Sequence, residues 1–309
     1  MPVDILQTHA FHHAGQTALA EKFTVHKLHE AADPEALLAQ IGPQIKAIAG
    51  GDVSAELIAR LPALEIVATF GVGYDSVDVQ AAAARDIVVA NTPEVLNDAV
   101  AELAIGLMIA LARRIPQADR YVREGRWGGK KFGLTGELTG KTVGILGLGR
   151  IGKEIAARAQ AMKMRVVYHG RHEQANQPFV YYSDLEDMAR DSDWLMVIAP
   201  GGAGTAGLVS RKVLEALGPE GAVVNLGRGT VIDEAAMLEL LKSGGLGGAA
   251  LDVFENEPEM DEAFFGLENV VLSPHQGSAT EQTRTLMGLT LVENLDAHFA
   301  GRPVPHRVV

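Results

Sequence analysis

Val143-Gly144-Ile145-Leu146 runs directly into Gly147-Leu148-Gly149-Arg150-Ile151-Gly152, and then into the helix-forming stretch Lys153-Glu154-Ile155-Ala156-Ala157-Arg158. An apolar strand, a glycine turn and an immediate helix start form the G-x-G-x-x-G unit that cradles the pyrophosphate of a dinucleotide. The first glycine permits the tight turn, the second lets the backbone approach the phosphates, and the third packs the helix on the strand. The helix start adds free N–H groups and the positive end of a dipole. Gly147, Leu148, Gly149, Arg150, Ile151 and Gly152 are therefore the candidate cofactor-binding turn.

The next strand, Arg165-Val166-Val167-Tyr168-His169, refines the cofactor. An NAD site places Asp or Glu roughly 20 residues after the glycines, on the ribose hydroxyls. This chain has Gly170-Arg171-His172 there. An acid repels a 2′-phosphate, whereas an arginine pairs with it through parallel charge-assisted hydrogen bonds. The expectation is NADP(H), with NAD(H) possible, held by Gly170, Arg171 and His172.

Short apolar runs flank the turn on both sides: Ile45–Ala49, Ile66–Phe70 and Ile87–Ala90 before it, and Trp194–Ile198, Ala222–Leu226, Gly248–Asp252 and Val270–Leu272 after it. Helical patterns separate them, an alternation that makes parallel βα units. A dinucleotide fold starts at its fingerprint strand, so the residues ahead of it form a second α/β unit. The expected fold is α/β, with two Rossmann-like parallel-sheet domains and the ligand site in the cleft between them. The central dinucleotide-binding domain spans 98–285. A discontinuous substrate-binding domain spans 1–97 plus 286–309, closed by a return helix over Leu286–Phe299.

Asn97 to Arg114 is rich in alanine and leucine, with Asp98 and Glu102 early and Arg113-Arg114 late, which complements a helix dipole. A second helix follows and ends at Gly128-Gly129. Apolar residues nearly all round the first helix mean burial against more than its own domain. A dimerisation arm over about 98–135 and a linker helix buried within one chain both satisfy that pattern.

The formal charge of -12 and the lack of a basic run exclude nucleic acid and anionic membranes as partners. No cysteine is present, so thiolate chemistry is excluded too. There is no secretory signal pattern and no bilayer-length apolar run, which makes the cytoplasm the expected location. His9, His12, His13, His26 and His29 crowd the N-terminus. The adjacent His12 and His13 do not share a helix or strand face, so no metal is expected.

Three strand ends carry chemistry. Asn225-Leu226-Gly227-Arg228-Gly229-Thr230 sets an arginine in a glycine-flanked turn; Leu251 to Pro258 supplies the acids Asp252, Glu255 and Glu257; Ser273-Pro274-His275-Gln276-Gly277-Ser278 supplies a histidine. Carboxyl ends of parallel strands open into the ligand crevice. Reduction of a 2-oxo acid needs this set, because hydride delivery to the carbonyl carbon leaves charge on oxygen that an acid must neutralise. His275 fits the acid, one neighbouring carboxylate favours its charged form, and Arg228 fits the substrate carboxylate.

Those stretches, with Phe70 to Asp78 and Asn91 to Leu96, make the chain resemble the D-isomer-specific 2-hydroxyacid dehydrogenases over essentially its full length. The resemblance implies an oxidoreductase with Arg228, Glu257 and His275 as catalytic residues, selecting Glu257 among the three acids. It implies Asp252 and Ser278 near the nicotinamide carboxamide, Leu226 and Gly227 along the cofactor, and the Val72 and Gly73 backbone against the substrate carboxylate. Within the family the chain is most similar to NADP-dependent glyoxylate/hydroxypyruvate reductases, which implies a homodimer acting on small 2-oxo acids and their 2-hydroxy products. An aromatic residue from the partner subunit reaches the site in such relatives, and Phe132 is the match here. The loop Pro200-Gly201-Gly202-Ala203-Gly204-Thr205 departs from the family's Pro-Leu-Thr-x-x-Thr by its extra glycines and keeps the proline and the last threonine; the resemblance implies Pro200 and Thr205 as its candidate cofactor contacts. Alternative readings are an NAD-dependent relative acting on D-lactate, phenylpyruvate or phosphoglycerate, or a nucleotide-sensing corepressor-like binding protein.

Overall fold

A computed structural model describes residues 2–309. In chain order the first elements are β1 (Asp4–Gln7), α1 (His13–Lys22), β2 (Thr24–Lys27), α2 (Pro34–Ile41), β3 (Ala47–Ala49), α3 (Ala55–Arg60), β4 (Ile66–Ala68), α4 (Val79–Ala83) and β5 (Val88–Ala90). Next come α5 (Asn97–Ala112), α6 (Ile115–Arg123), β6 (Thr142–Leu146), α7 (Arg150–Ala161), β7 (Arg165–His169), β8 (Val180–Tyr182), α8 (Leu185–Arg190) and β9 (Trp194–Val197). The chain ends with α9 (Arg211–Leu217), β10 (Ala222–Asn225), α10 (Glu234–Ser243), β11 (Gly248–Leu251), β12 (Val270–Leu272) and α11 (Glu281–Phe299).

The chain divides into two compact units, one running up to Leu96 and resuming at Ala279–Val309, the other Asn97–Ser278. In the first unit five parallel strands run in the order β2-β1-β3-β4-β5. Alternate side chains point to opposite faces of a strand. Leu6, Ile48, Val67 and Val89 therefore fill one core while Ile5, Ala47, Ala49, Ile66 and Ala68 fill the other, the latter closed by Leu291 and Leu295 of α11. Helix α11 starts at Glu281, where the Thr280 hydroxyl accepts from the Thr283 N–H, rather than at Leu286. It meets α1 where Gly15 faces Gly288; a Cβ on Gly15 would fall 2.7 Å from the Gly288 Cα.

The second unit holds a seven-stranded parallel sheet in the order β12-β11-β10-β9-β6-β7-β8. The order reverses between β6 and β9, the switch point where such sheets bind ligands. Helices α5 and α7 pack on each other and over one face. On the other face Leu146, Val167, Leu195, Val197, Val223 and Leu251 join Met188, Leu214 and Leu241 in a buried cluster. Helix α5 stops at Ala112, and α6 begins at Ile115 after Arg114, which lies in the left-handed region at φ 50. Among the described residues no helix is long and apolar enough to cross a membrane.

Candidate active site

Apart from Phe132, the sequence-predicted residues of the second unit lie at the carboxyl ends of β6, β7, β9, β10, β11 and β12. After β6 the three glycines separate physically. Gly147 has φ +103, and a Cβ there would lie 3.0 Å from the Ala199 N, so only glycine fits the turn. A Cβ on Gly152 would lie 2.2 Å from the Gly147 carbonyl oxygen, which makes this glycine the helix-to-strand contact. Gly149 is different: a Cβ there would meet nothing within 4 Å. No packing inside the protein demands a glycine at this place, so the turn leaves room for a ligand to approach the backbone. Gly149 also caps α7 without any side-chain bond. This cradle fits a dinucleotide pyrophosphate. Beyond β7, Arg171 and His172 are exposed, and no described carboxylate pairs with Arg171.

The loop after β9 closes on itself. The Thr205 hydroxyl donates to the Pro200 carbonyl at 2.7 Å, and Gly202 adopts φ +123. After β10, the Asn225 side chain brackets the arginine turn, accepting from the Gly227 N–H at 3.0 Å and donating to the Arg228 carbonyl at 2.9 Å. A Cβ on Gly229 would lie 1.8 Å from the Phe254 carbonyl carbon. Glycine here lets the β10 turn press onto the loop after β11, and that approach brings Arg228 towards Glu257.

Glu257 is held at both oxygens. One accepts from the Phe254 N–H at 2.9 Å, the other meets the His275 Nδ1 at 2.6 Å. Burial pushes the Glu257 carboxyl up, but the hydrogen bonds from His275 and Phe254, with the charges of His275 and Arg228, outweigh it and hold the group below the ordinary carboxylate value. A carboxylate only accepts, so Nδ1 carries a proton and Nε2 is the ring nitrogen left for chemistry. His275 lies in the left-handed region, φ 53, which costs about 1–2 kcal/mol for a residue with a side chain. Asp252 holds it there: its carbonyl accepts the His275 N–H at 2.9 Å, and its 1 % exposed carboxylate takes the Ser273 hydroxyl and the Gln276 and Gly277 N–H groups. Ser278 lies beside this loop, half-buried.

An apolar cavity of about 490 Å³ adjoins the pair, lined by Phe254, Pro258, Met260, Phe265, Leu272 and Pro274. A larger one of about 790 Å³ opens at the amino ends of the strands, beside Trp194, Ala222 and Gly248, away from the chemistry.

In the first unit, the Gly71 and Val72 carbonyls are tied down by the Thr92 N–H at 2.9 Å and the Asn91 side chain at 2.9 Å. Asn91 is held in turn by the buried Asn294 of α11. Arg284 was not among the expected site residues. Its guanidinium is half-buried over the Phe70 ring, 5.5 Å from the centroid, and burial lowers its pKa. No described residue makes a salt bridge to it, the condition in which a buried cation takes an anionic ligand. In sequence it is one more charged position on a helix.

Phe132 packs within its own chain, 5.4 Å from Tyr121, with Arg114 over its ring. Trp127 is the aromatic of that segment left 71 % exposed. The N-terminal histidines have protein partners: His9 with the Gly51 N–H, His12 with Glu281, His26 with Asp4. No group of three or more potential ligands among the described residues could hold a metal ion.

Comparison with known proteins agrees with this geometry. The profile described as D-isomer specific 2-hydroxyacid dehydrogenase, NAD binding domain, matches residues 105–277. A hydroxyphenylpyruvate reductase of Plectranthus scutellarioides is 47 % identical over 275 residues, 88 % of either chain. A glyoxylate/hydroxypyruvate reductase A of Arabidopsis thaliana is 44 % identical over 297 residues, 95 % of either chain. Among solved structures, an NADPH-dependent glyoxylate/hydroxypyruvate reductase of Sinorhizobium meliloti, in complex with NADP and malonate, superposes with a TM-score of 0.96 at 43 % identity, covering 100 % of this chain and 97 % of the other. The chain belongs to the D-isomer specific 2-hydroxyacid dehydrogenase family.

Proposed function

We propose that the chain is an NADPH-dependent reductase of small 2-oxo acids, glyoxylate and hydroxypyruvate first, giving D-2-hydroxy acids. The observation that carries this reading is the His275–Glu257 pair beside Arg228, on the same sheet edge as an open phosphate cradle. Bound NADP(H) supplies or accepts the hydride. Gly147 to Gly152 would hold its pyrophosphate, Arg171 with Gly170 and His172 its 2′-phosphate, and the loops at Pro200, Thr205, Leu226, Gly227, Asp252 and Ser278 would line it.

The chain's own residues do the rest. Arg228 binds the substrate carboxylate and polarises the carbonyl, with bidentate geometry fixing the presented face. His275 holds a proton at Nε2 and delivers it to the carbonyl oxygen as charge develops there. Glu257 keeps the ring oriented and stabilises its charged form. The Val72 and Gly73 N–H groups take the substrate carboxylate on the first unit, the substrate-binding domain of this reading.

The working form is a cytoplasmic homodimer built through the segment 98–135, where Ile115, Val122, Trp127 and Leu134 are exposed apolar residues. The test is loss of NADPH absorbance with glyoxylate, hydroxypyruvate, pyruvate and 4-hydroxyphenylpyruvate, each repeated with NADH. The reading expects turnover on the first two with NADPH preferred. No oxidation with any 2-oxo acid would leave a nucleotide-binding protein instead.

A further inference from the structure

An exposed arginine on a surface loop is a poor discriminator unless the loop itself is fixed. Arg171 and His172 both stand in solvent, yet the backbone carrying them is tied at both ends. At the start, the Tyr181 hydroxyl donates to the Gly170 carbonyl at 3.1 Å. At the end, the Gln174 N–H donates to the hydroxyl of Tyr168, a β7 side chain that is 1 % exposed. The third tie crosses to the fingerprint: Gln174 Nε2 donates to the Leu148 carbonyl, inside the glycine turn, at 2.7 Å. Tyr168 and Tyr181 pack on each other, 5.3 Å between ring centroids, so the two anchors brace one another.

We propose that Gln174 is a positioning residue for cofactor selectivity: by strapping the Gly170–Gln174 loop to the Leu148 carbonyl, it presents Arg171 to a 2′-phosphate in a preformed place. The proposal rests on the reading that Arg171 takes that phosphate. Its physical basis is preorganisation, since a loop ordered before binding spares the ligand the entropy of ordering it. The strap touches the pyrophosphate turn at a carbonyl, which cannot donate to a phosphate, so its loss falls on the 2′-phosphate and spares the shared part of the cofactor.

Binding of 2′,5′-ADP and 5′-AMP to the full chain, measured by calorimetry, tests this in wild type, Arg171→Ala, Gln174→Met and Tyr168→Phe. Methionine keeps the volume of Gln174 and removes its donor; phenylalanine removes the acceptor of the Gln174 N–H and leaves the buried ring. Gln174→Met is expected to cut the preference for 2′,5′-ADP about tenfold, with 5′-AMP affinity within about twofold of wild type. Tyr168→Phe should move the ratio the same way. An unchanged ratio in Gln174→Met, or equal weakening of both nucleotides, overturns the proposal. If Arg171→Ala keeps the wild-type ratio, the assignment of the phosphate to Arg171 fails instead, and a fall in Gln174→Met then still supports the strap, with His172 as the presented cation.

Discussion

Gly149→Ala and Gly152→Ala should fail in opposite ways, although the residues are three apart in one motif. A Cβ on Gly149 meets no protein atom within 4 Å, and φ −80 is ordinary for alanine. The folded protein therefore accepts the methyl, and the smaller entropy of the unfolded chain adds about 0.4–1 kcal/mol of stability. For a domain of this size that raises Tm by roughly 1–4 °C. The same methyl occupies the space through which a phosphate oxygen must come to about 2.7–2.9 Å of a first-turn N–H. Losing one such charge-assisted bond costs about 1.5–3 kcal/mol, or roughly 10- to 150-fold in affinity. A Cβ on Gly152 lies 2.2 Å from the Gly147 carbonyl oxygen, well inside contact distance. Relieving that overlap moves α7 against β6, at about 1–3 kcal/mol. The assays are a thermal melt without cofactor and a fluorescence titration with NADPH. Gly149→Ala with wild-type NADPH affinity would refute the placement of the pyrophosphate. A lower ligand-free Tm in Gly149→Ala would refute the claim that the space there is open.

Three further outcomes are expected. His275→Ala should lower kcat by roughly 10²–10⁴-fold, the size of a general-acid contribution, with substrate KM much less affected; a near-wild-type kcat sinks the proton-transfer role. Arg171→Ala should raise KM for NADPH roughly 10- to 100-fold and leave that for NADH little changed, since only NADPH loses a charged contact; equal effects on both would remove Arg171 from the phosphate site. Because Glu257 is held below its ordinary value of 4.5, its contribution to stability is present above that pH and is lost as pH falls through the lower folded value. Melts of wild type and Glu257→Gln across acid pH should converge as the carboxyl protonates, and parallel curves would contradict this.

The strands legible in the sequence are the buried ones, where an apolar run such as Val270-Val271-Leu272 has no other use. The edge strand β2 is invisible to that signal: Thr24–Lys27 is exposed or half-buried and carries one apolar residue, Val25. β1 escapes it too, because only Ile5 and Leu6 are apolar there, between Asp4 and Gln7. At the site, the glycine spacing predicts three distinct jobs, and the backbone shows close contacts at Gly147 and Gly152 and open space at Gly149. Nothing local foretold that Asp252 would spend its carboxylate on the loop carrying His275, because its partners lie 21 to 25 residues away. Phe132 and Arg284 were opaque for the same reason: whether an aromatic finds Tyr121, or a cation lacks a carboxylate, is decided by the fold.

The left-handed backbone at His275 has a consequence for how charge is handled. Strain at that residue is balanced by Asp252, on a different strand end, whose carboxylate is bonded to Ser273, Gln276 and Gly277, while the imidazole is held by Glu257. Protonation and deprotonation at Nε2 thus alter the charge of the ring while the peptide beneath it is fixed by bonds indifferent to that charge. In the proposed reaction the surrounding dipoles need not rearrange as the proton leaves, and the reorganisation energy of the step is kept low by a residue that never meets the substrate.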